Sequence, residues 1–175
     1  MSTLNFNIEN EKILIFEPHP DDVAYNFMGT VIKWLDEGKD LTICTVTKGN
    51  NSTFKPSVSM EEIEEVMMEE HQKVHEMLHL DSSSIIQWDY DDLGIDPAKD
   101  RPELLRKMIQ LIREVKPTTV VTIDPKNMEN EENPDHRIVA IEGFEAAAMA
   151  AYPHVYREDW EKSEVSPHFV SRMLF

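Results

Sequence analysis

Two short runs carry residue types able to do chemistry: Pro18-His19-Pro20-Asp21-Asp22 and Asn133-Pro134-Asp135-His136. Together they offer two imidazoles and a carboxylate, in His19, His136 and Asp22. That is the donor set of a catalytic zinc, which takes three protein ligands and keeps a position open for water. Fe²⁺ or Mn²⁺ would accept the same set. Asp21 then has a task as general base, taking the proton of a water whose pKa the metal has lowered towards about 7. The chemistry implied is hydrolysis of a carbonyl or similar electrophile. Either tetrapeptide alone is ordinary turn and helix-cap chemistry, because Pro and Asp are common in turns. The weight comes from finding both, each after an apolar strand.

The elements that must position these runs can be read from the pattern of the chain. Lys12–Glu17 is a strand buried on both faces. Pro18 and Pro20 stiffen its exit by fixing φ and restricting the residue before them. A helix follows, with Ala24, Phe27, Met28, Val31, Trp34 and Leu35 at helical spacing and Gly38 at its C′ position. Leu41–Thr47 is the second strand, and it leads into a loop rich in Gly, Asn, Ser and Pro. Ser59 and Glu62 form a capping box for a long helix from about Met60 to His79, with Val66, Met67, Val74 and Leu78 as its apolar stripe. A short third strand lies near 84–88, and 89–100 is an acidic loop able to cover a pocket. Asp100 and Glu103 start a helix to about Val115. TTVVTID, opened by Lys116-Pro117, is the fourth strand. An Ala-rich helix then runs to Ala151, and 168–175 resembles a last strand. This alternation predicts an α/β, Rossmann-like fold, a mostly parallel sheet flanked by helices. In such a sheet the exits of strands one and four can share one edge.

The 175 residues fit one domain, 1–175, with a real core. Thirty-four acidic against 17 basic residues give a net charge of −17. That argues against nucleic acid or an anionic membrane surface as partner, since both demand a basic footprint. The lone Cys44 excludes an internal disulfide framework and reads as a buried strand hydrophobe. No apolar run approaches the roughly 20 residues of a membrane span, and residues 1–11 lack the features of a signal peptide. The expectation is a cytoplasmic protein with a small-molecule partner; a homo-oligomer stays open.

Other residues weigh less. Asn50 and Asn51 follow strand two near the presumed site and are candidates for substrate contact. Trp88, Tyr90, Asp91 and Asp92 could line a sugar pocket or simply pack a loop. His71, His75 and His79 stand at i, i+4 and i+8 and invite a second metal site. They read as solvated histidines, because the sequence places no carboxylate or Cys beside them. Gly49 is no phosphate loop.

From Lys12 to about Ala151 the chain resembles the zinc-dependent LmbE/PIG-L deacetylases, on PHPDDV, Thr47-Lys48-Gly49-Asn50, a helix carrying Glu70, and NPDH. The resemblance implies removal of an acetyl group from an N-acetylated sugar or amino-sugar conjugate. It assigns zinc to His19, Asp22 and His136, the general base to Asp21, a substrate-side role to Glu70, and to Asp135 the steadying of an imidazole. Three positions depart from the family pattern. Val23 stands for an acid, Met67 for a substrate-contacting Arg, and Asn133 for a His that stabilises the oxyanion and protonates the leaving amine. Asn133 can donate a hydrogen bond to an oxyanion but cannot transfer a proton. A ligand-binding protein that has lost the reaction, and a metal-dependent esterase, therefore stand as alternatives. Family members also continue past the strand at 168–175, which implies a shortened chain or an open pocket.

Overall fold

In the computed structural model, residues 11–126, 133–163 and 165–175 are described. Residues 1–10 and the acidic Glu129, Glu131 and Glu132 lie outside them.

Five strands, β1 (Lys12–Glu17), β2 (Asp40–Thr47), β3 (Ile85–Tyr90), β4 (Thr119–Val121) and β5 (Arg172–Leu174), form one sheet in the order β3-β2-β1-β4-β5. Every pairing is parallel. Parallel strands require crossovers, and helices supply them: α1 (Met28–Asp36), α2 (Met60–Met77), α3 (Arg101–Val115), α4 (Pro134–Met149) and the short α5 (Arg157–Lys162). The expected α/β architecture is present.

Strand β1 is central and alternates between two cores. Leu14 and Phe16 join Cys44, Leu104, Met108, Ile112, Val120 and Val139 on the side of α3 and α4. Ile13 and Ile15 join Val31, Leu41, Ile43 and Val121, with Trp34, Leu35, Leu78 and Leu80 packed against them. Burial of each such side chain contributes about 1.5–3 kcal/mol relative to exposure. The two-sided demand explains why β1 reads as an unbroken apolar run.

Local signals hold at several ends. Gly38, at φ +71°, closes α1 and donates its N–H to the Leu35 carbonyl. Ser59 and Glu62 form the reciprocal capping box of α2. Elsewhere the fold differs from the reading. A five-residue π-helical turn, Val23–Phe27, precedes α1. Helix α2 ends at Met77, with His79 in the left-handed region. Its buried residues are His71 and His75 rather than an aliphatic stripe, and Val66 is exposed. Asp100 makes no side-chain cap on α3; its Oδ2 instead accepts from the Asp96 N–H.

Arg113 of α3 is fully buried. Its guanidinium donates to the carbonyls of Ala150, Val155 and Tyr152, clasping the end of α4 and the turn beyond it. The planar fork of Arg can meet three fixed carbonyls at once. No helix among the described residues is long and apolar enough to cross a membrane.

Candidate metal centre

The strand order reverses between β1 and β4, and open α/β sheets place their ligand crevices at the carboxyl side of such a point. His19 to Asp22 leave β1 there, and Asn133 to His136 enter α4 beside them. The first turn is held from several sides. The Thr47 N–H donates to the Pro18 carbonyl, and the Asp22 N–H donates to the His19 carbonyl. The His19 N–H donates back to Asp22 Oδ2. Glu17, buried at the end of β1, accepts from the Val23 N–H. Gly49, at φ +63°, lies so close that an added Cβ would stand 2.9 Å from Pro20 Cδ. Only glycine meets both the conformation and the approach.

On the other side Asn133 is the N-cap of α4, its Oδ1 accepting from the Asp135 N–H, with Pro134 at the first helical position. This arrangement presents Asp135 and His136 in the first turn.

The three expected ligand residues converge. His19 Nδ1 lies 3.1 Å from His136 Nε2 and 3.3 Å from Asp22 Oδ2, and His136 Nε2 is 3.2 Å from Asp22 Oδ1. Donor atoms on a zinc tetrahedron with bonds of about 2.0–2.1 Å stand about 3.3 Å apart. The set therefore fits a metal ion as it stands.

The other nitrogen of His19 faces acid. Nε2 is 3.0 Å from Asp92 Oδ1 and 3.5 Å from Asp135 Oδ2. Yet Nε2, Asp92 Oδ1 and Asp135 Oδ1 are buried without a well-directed hydrogen bond among the described residues. Burial opposes protonation of His19, but the Asp135, Asp22 and Asp92 carboxylates outweigh it and push its pKa up to about 11. Burial likewise opposes ionisation of Asp22, and His136 and His19 hold its carboxyl well below the usual carboxylate range. The cluster is built to hold positive charge, as a proton or as a metal ion.

Asp92, one of the residues that could line a sugar pocket, does line the pocket beside the centre; its contact with His19 is what reading the sequence did not anticipate. The loop after β3 is flagged there as a cover, but its contact with His19 depends on distant partners. Asn50 is buried, its Nδ2 donating to Asp91 and its Oδ1 accepting from the Asp92 N–H. The Leu93 N–H donates to Asp135 Oδ2 at 2.7 Å. Asn50 thus anchors the loop, and Asn51 lines the adjoining pocket in its place.

That pocket, of about 440 Å³, is walled by Asp21, Asn51, Phe54, Leu93, Asn133 and His136, among others. Glu70 is exposed on α2 and is not among its lining residues. Trp88 and Tyr90 turn elsewhere: Lys107 stacks over both rings, and Trp88 lines a separate, larger groove along α3. The histidines of α2 also differ from expectation. His79 is exposed, whereas His71 and His75 are buried beside Glu17, the carboxylate partner not evident in the sequence.

A model of the PIG-L family, described as GlcNAc-PI de-N-acetylase, matches residues 14–148. The chain belongs to this family. It is 30% identical over 180 residues to the diacetylchitobiose deacetylase of Thermococcus kodakarensis, covering 100% of this chain and 65% of that protein. A 1D-myo-inositol 2-acetamido-2-deoxy-α-D-glucopyranoside deacetylase of Geodermatophilus obscurus is 26% identical, over 89% of this chain and 60% of its own length. Among solved structures, the N,N'-diacetylchitobiose deacetylase from Pyrococcus horikoshii superposes with a TM-score of 0.83 at 25% identity, covering 97% of this chain and 62% of that one. A 4-carboxy-2-hydroxymuconate hydratase from a Pseudomonas species, at 17% identity and a TM-score of 0.66, shares the fold alone. The chain spans about three-fifths of the length of these relatives.

Proposed function

We propose that this PIG-L-family chain is a metal-dependent de-N-acetylase acting on a 2-acetamido-2-deoxyglucose unit, with zinc as the metal. The observation that carries the reading is the convergence of His19 Nδ1, Asp22 and His136 Nε2 at 3.1–3.3 Å beside a pocket that Asp21 lines. The substrate class is supported by the names of the relatives in Thermococcus kodakarensis and Geodermatophilus obscurus, both deacetylases of acetamido sugars. When bound, the metal supplies Lewis acidity to the acetamide carbonyl and acidifies a water.

The rest follows from the chain's own side chains. Asp92 and Asp135 hold the Nε2 side of His19, which leaves Nδ1 as the donor. Asp21 takes a proton as the water oxygen bonds to the acetyl carbon. As the C–N bond breaks, Asp21 returns that proton to the amine, and acetate and the free amino sugar leave. Asn133, its Oδ1 held by the Asp135 N–H, donates from Nδ2 to the acetyl oxygen as charge builds there. The test is acetate release from N,N'-diacetylchitobiose and N-acetylglucosamine by the zinc-loaded protein. Asp21→Asn is expected to keep its zinc and lose about 10²–10⁴-fold in kcat; near-full turnover in that variant would sink the base assignment.

One observation favours a second reading. The Asn133 amide serves as a helix cap and carries no transferable proton, which suits a pocket that binds a ligand without turning it over. Asn133→His separates the two. A large rise in acetate release identifies a degraded enzyme, and unchanged turnover in an already active protein identifies an adapted one.

A further inference from the structure

A buried cluster of ionisable residues outside the pocket lies under α2, on the face of β1 away from α3 and α4. Along this strand Ile13, Ile15 and Glu17 face the same way, so alternation carries the last of them under α2. Glu17 is 1% exposed, and His71 and His75 of α2 are 6% and 4% exposed. One donor atom from each lies within 4.8 Å of the others. His71 Nε2 is 3.0 Å from Glu17 Oε1, and the two imidazole centroids are 4.0 Å apart.

The spacing has a simple origin. Residues four apart stand on one face of a helix, and paired imidazoles at i and i+4 are a recurrent zinc-binding element when a third donor meets them. Here the third donor comes from a strand. Its carboxylate is already oriented, because Thr45 Oγ1 donates to Oε1 at 2.5 Å and the Val23 N–H donates to Oε2 at 2.9 Å. Thr45 is the register partner of Glu17 across β1 and β2. Such outer contacts fix the ligands of metal sites.

His75 adds a second observation. Among the described residues its ring makes no hydrogen bond; its contact is the edge of His71. Burial, and then the charge of His71, hold its pKa down to about 4, so it is neutral and keeps a lone pair at physiological pH. Both histidines also line a groove between α2 and β3 with Met68, Gln72, Ile85 and Gln87, which gives an ion access and a water room to complete coordination.

We propose that Glu17, His71 and His75 form a second zinc site, structural in kind, which ties α2 to the exit of β1. It is distinct from the His19–Asp22–His136 centre. Its effect reaches the first centre through Glu17, which also holds the Val23 N–H just after the HPDD turn.

The competing arrangement holds no metal, with His71 and Glu17 joined by their hydrogen bond alone. Zinc stoichiometry decides between them. The metal-stripped protein, His136→Ala, His75→Leu and the double variant are each equilibrated with zinc in a metal buffer and analysed for bound metal. Circular dichroism confirms that each is folded. The expected counts are two per chain for the unaltered protein, one for each single variant and none for the double variant. Zinc should also raise the melting temperature of His136→Ala and leave that of the double variant unmoved. If His75→Leu fails to fold, Glu17→Gln in the His136→Ala background replaces it, and should bind at least tenfold more weakly than His136→Ala alone. One zinc in the unaltered protein and none in His136→Ala overturns the second site, as does zinc in His136→Ala that survives loss of His75. One zinc in both the unaltered protein and His136→Ala, lost with His75, supports the second site and removes the metal-centre basis of the proposed function instead.

Discussion

At the scale of single residues, the chemistry concentrates on one imidazole. His19 is asked to present Nδ1 to a metal while Nε2 is hemmed by two carboxylates. Asp92→Asn removes charge on that side with little change of shape. The expected result is a loss of about 10–100-fold in zinc affinity, read by competition with a chromogenic chelator, with the melting temperature of the metal-free protein nearly unchanged. Unaltered affinity would assign Asp92 to loop packing alone. HPDD and NPDH were legible because each is a local motif whose members share a single turn. The contact of Asp92 with His19 was not, because it depends on Asn50, 42 residues earlier, and on Asp135, 43 residues later. The α2 histidines misled for a related reason. A run of glutamates around them suggests a solvated face, and nothing in the sequence says that the last residue of an apolar strand is a buried acid pointing at them.

At the scale of elements, the alternation of apolar strands and amphipathic helices was enough to give the strand count and the parallel sense. Boundaries shifted where a polar contact replaced an expected one, as at Asp100, or where a turn adopted a wider helix, as at Val23–Phe27. Beside the ladder of β4 and β5 stands a side-chain tie that the sequence pattern does not display. Glu11, just before β1, accepts from the Thr119 hydroxyl at 2.7 Å and pairs with Lys39 and Arg172, joining four segments. Burial opposes its ionisation, but the Thr119 hydroxyl, Lys39 and Arg172 outweigh it and keep its pKa below the usual 4.5. A lowered folded-state pKa contributes stability above the unfolded value, and that contribution is lost as pH falls through the folded value. Glu11→Gln should therefore destabilise by about 1–3 kcal/mol at pH 7. The gap to the unaltered protein should narrow steadily below about pH 4.5. Urea titrations at neutral and acid pH check this, and a gap that stays constant would rule out an electrostatic origin.

At the scale of the whole molecule, the candidate centre sits where the winding of the sheet reverses, with ligands from the turn after β1 and the first turn of α4, more than a hundred residues apart in the chain. Its geometry therefore depends on how well the sheet and α4 keep their relative pose. The Arg113 clasp grips α4 at one end, and Asp135 and His136 ride at the other. Sixteen residues of helix measure about 24 Å, so α4 is a lever with the clasp at its handle. A tilt of only about 5° there would swing the far end by about 2 Å, several times the roughly 0.5 Å that a functional constellation tolerates. Arg113→Lys keeps the charge but gives up the three-way fork. It should weaken zinc binding at His136 at least about tenfold by this leverage, without touching any ligand. A chelator titration of this variant would then measure the stiffness of a helix through the affinity of a metal ion at its opposite end.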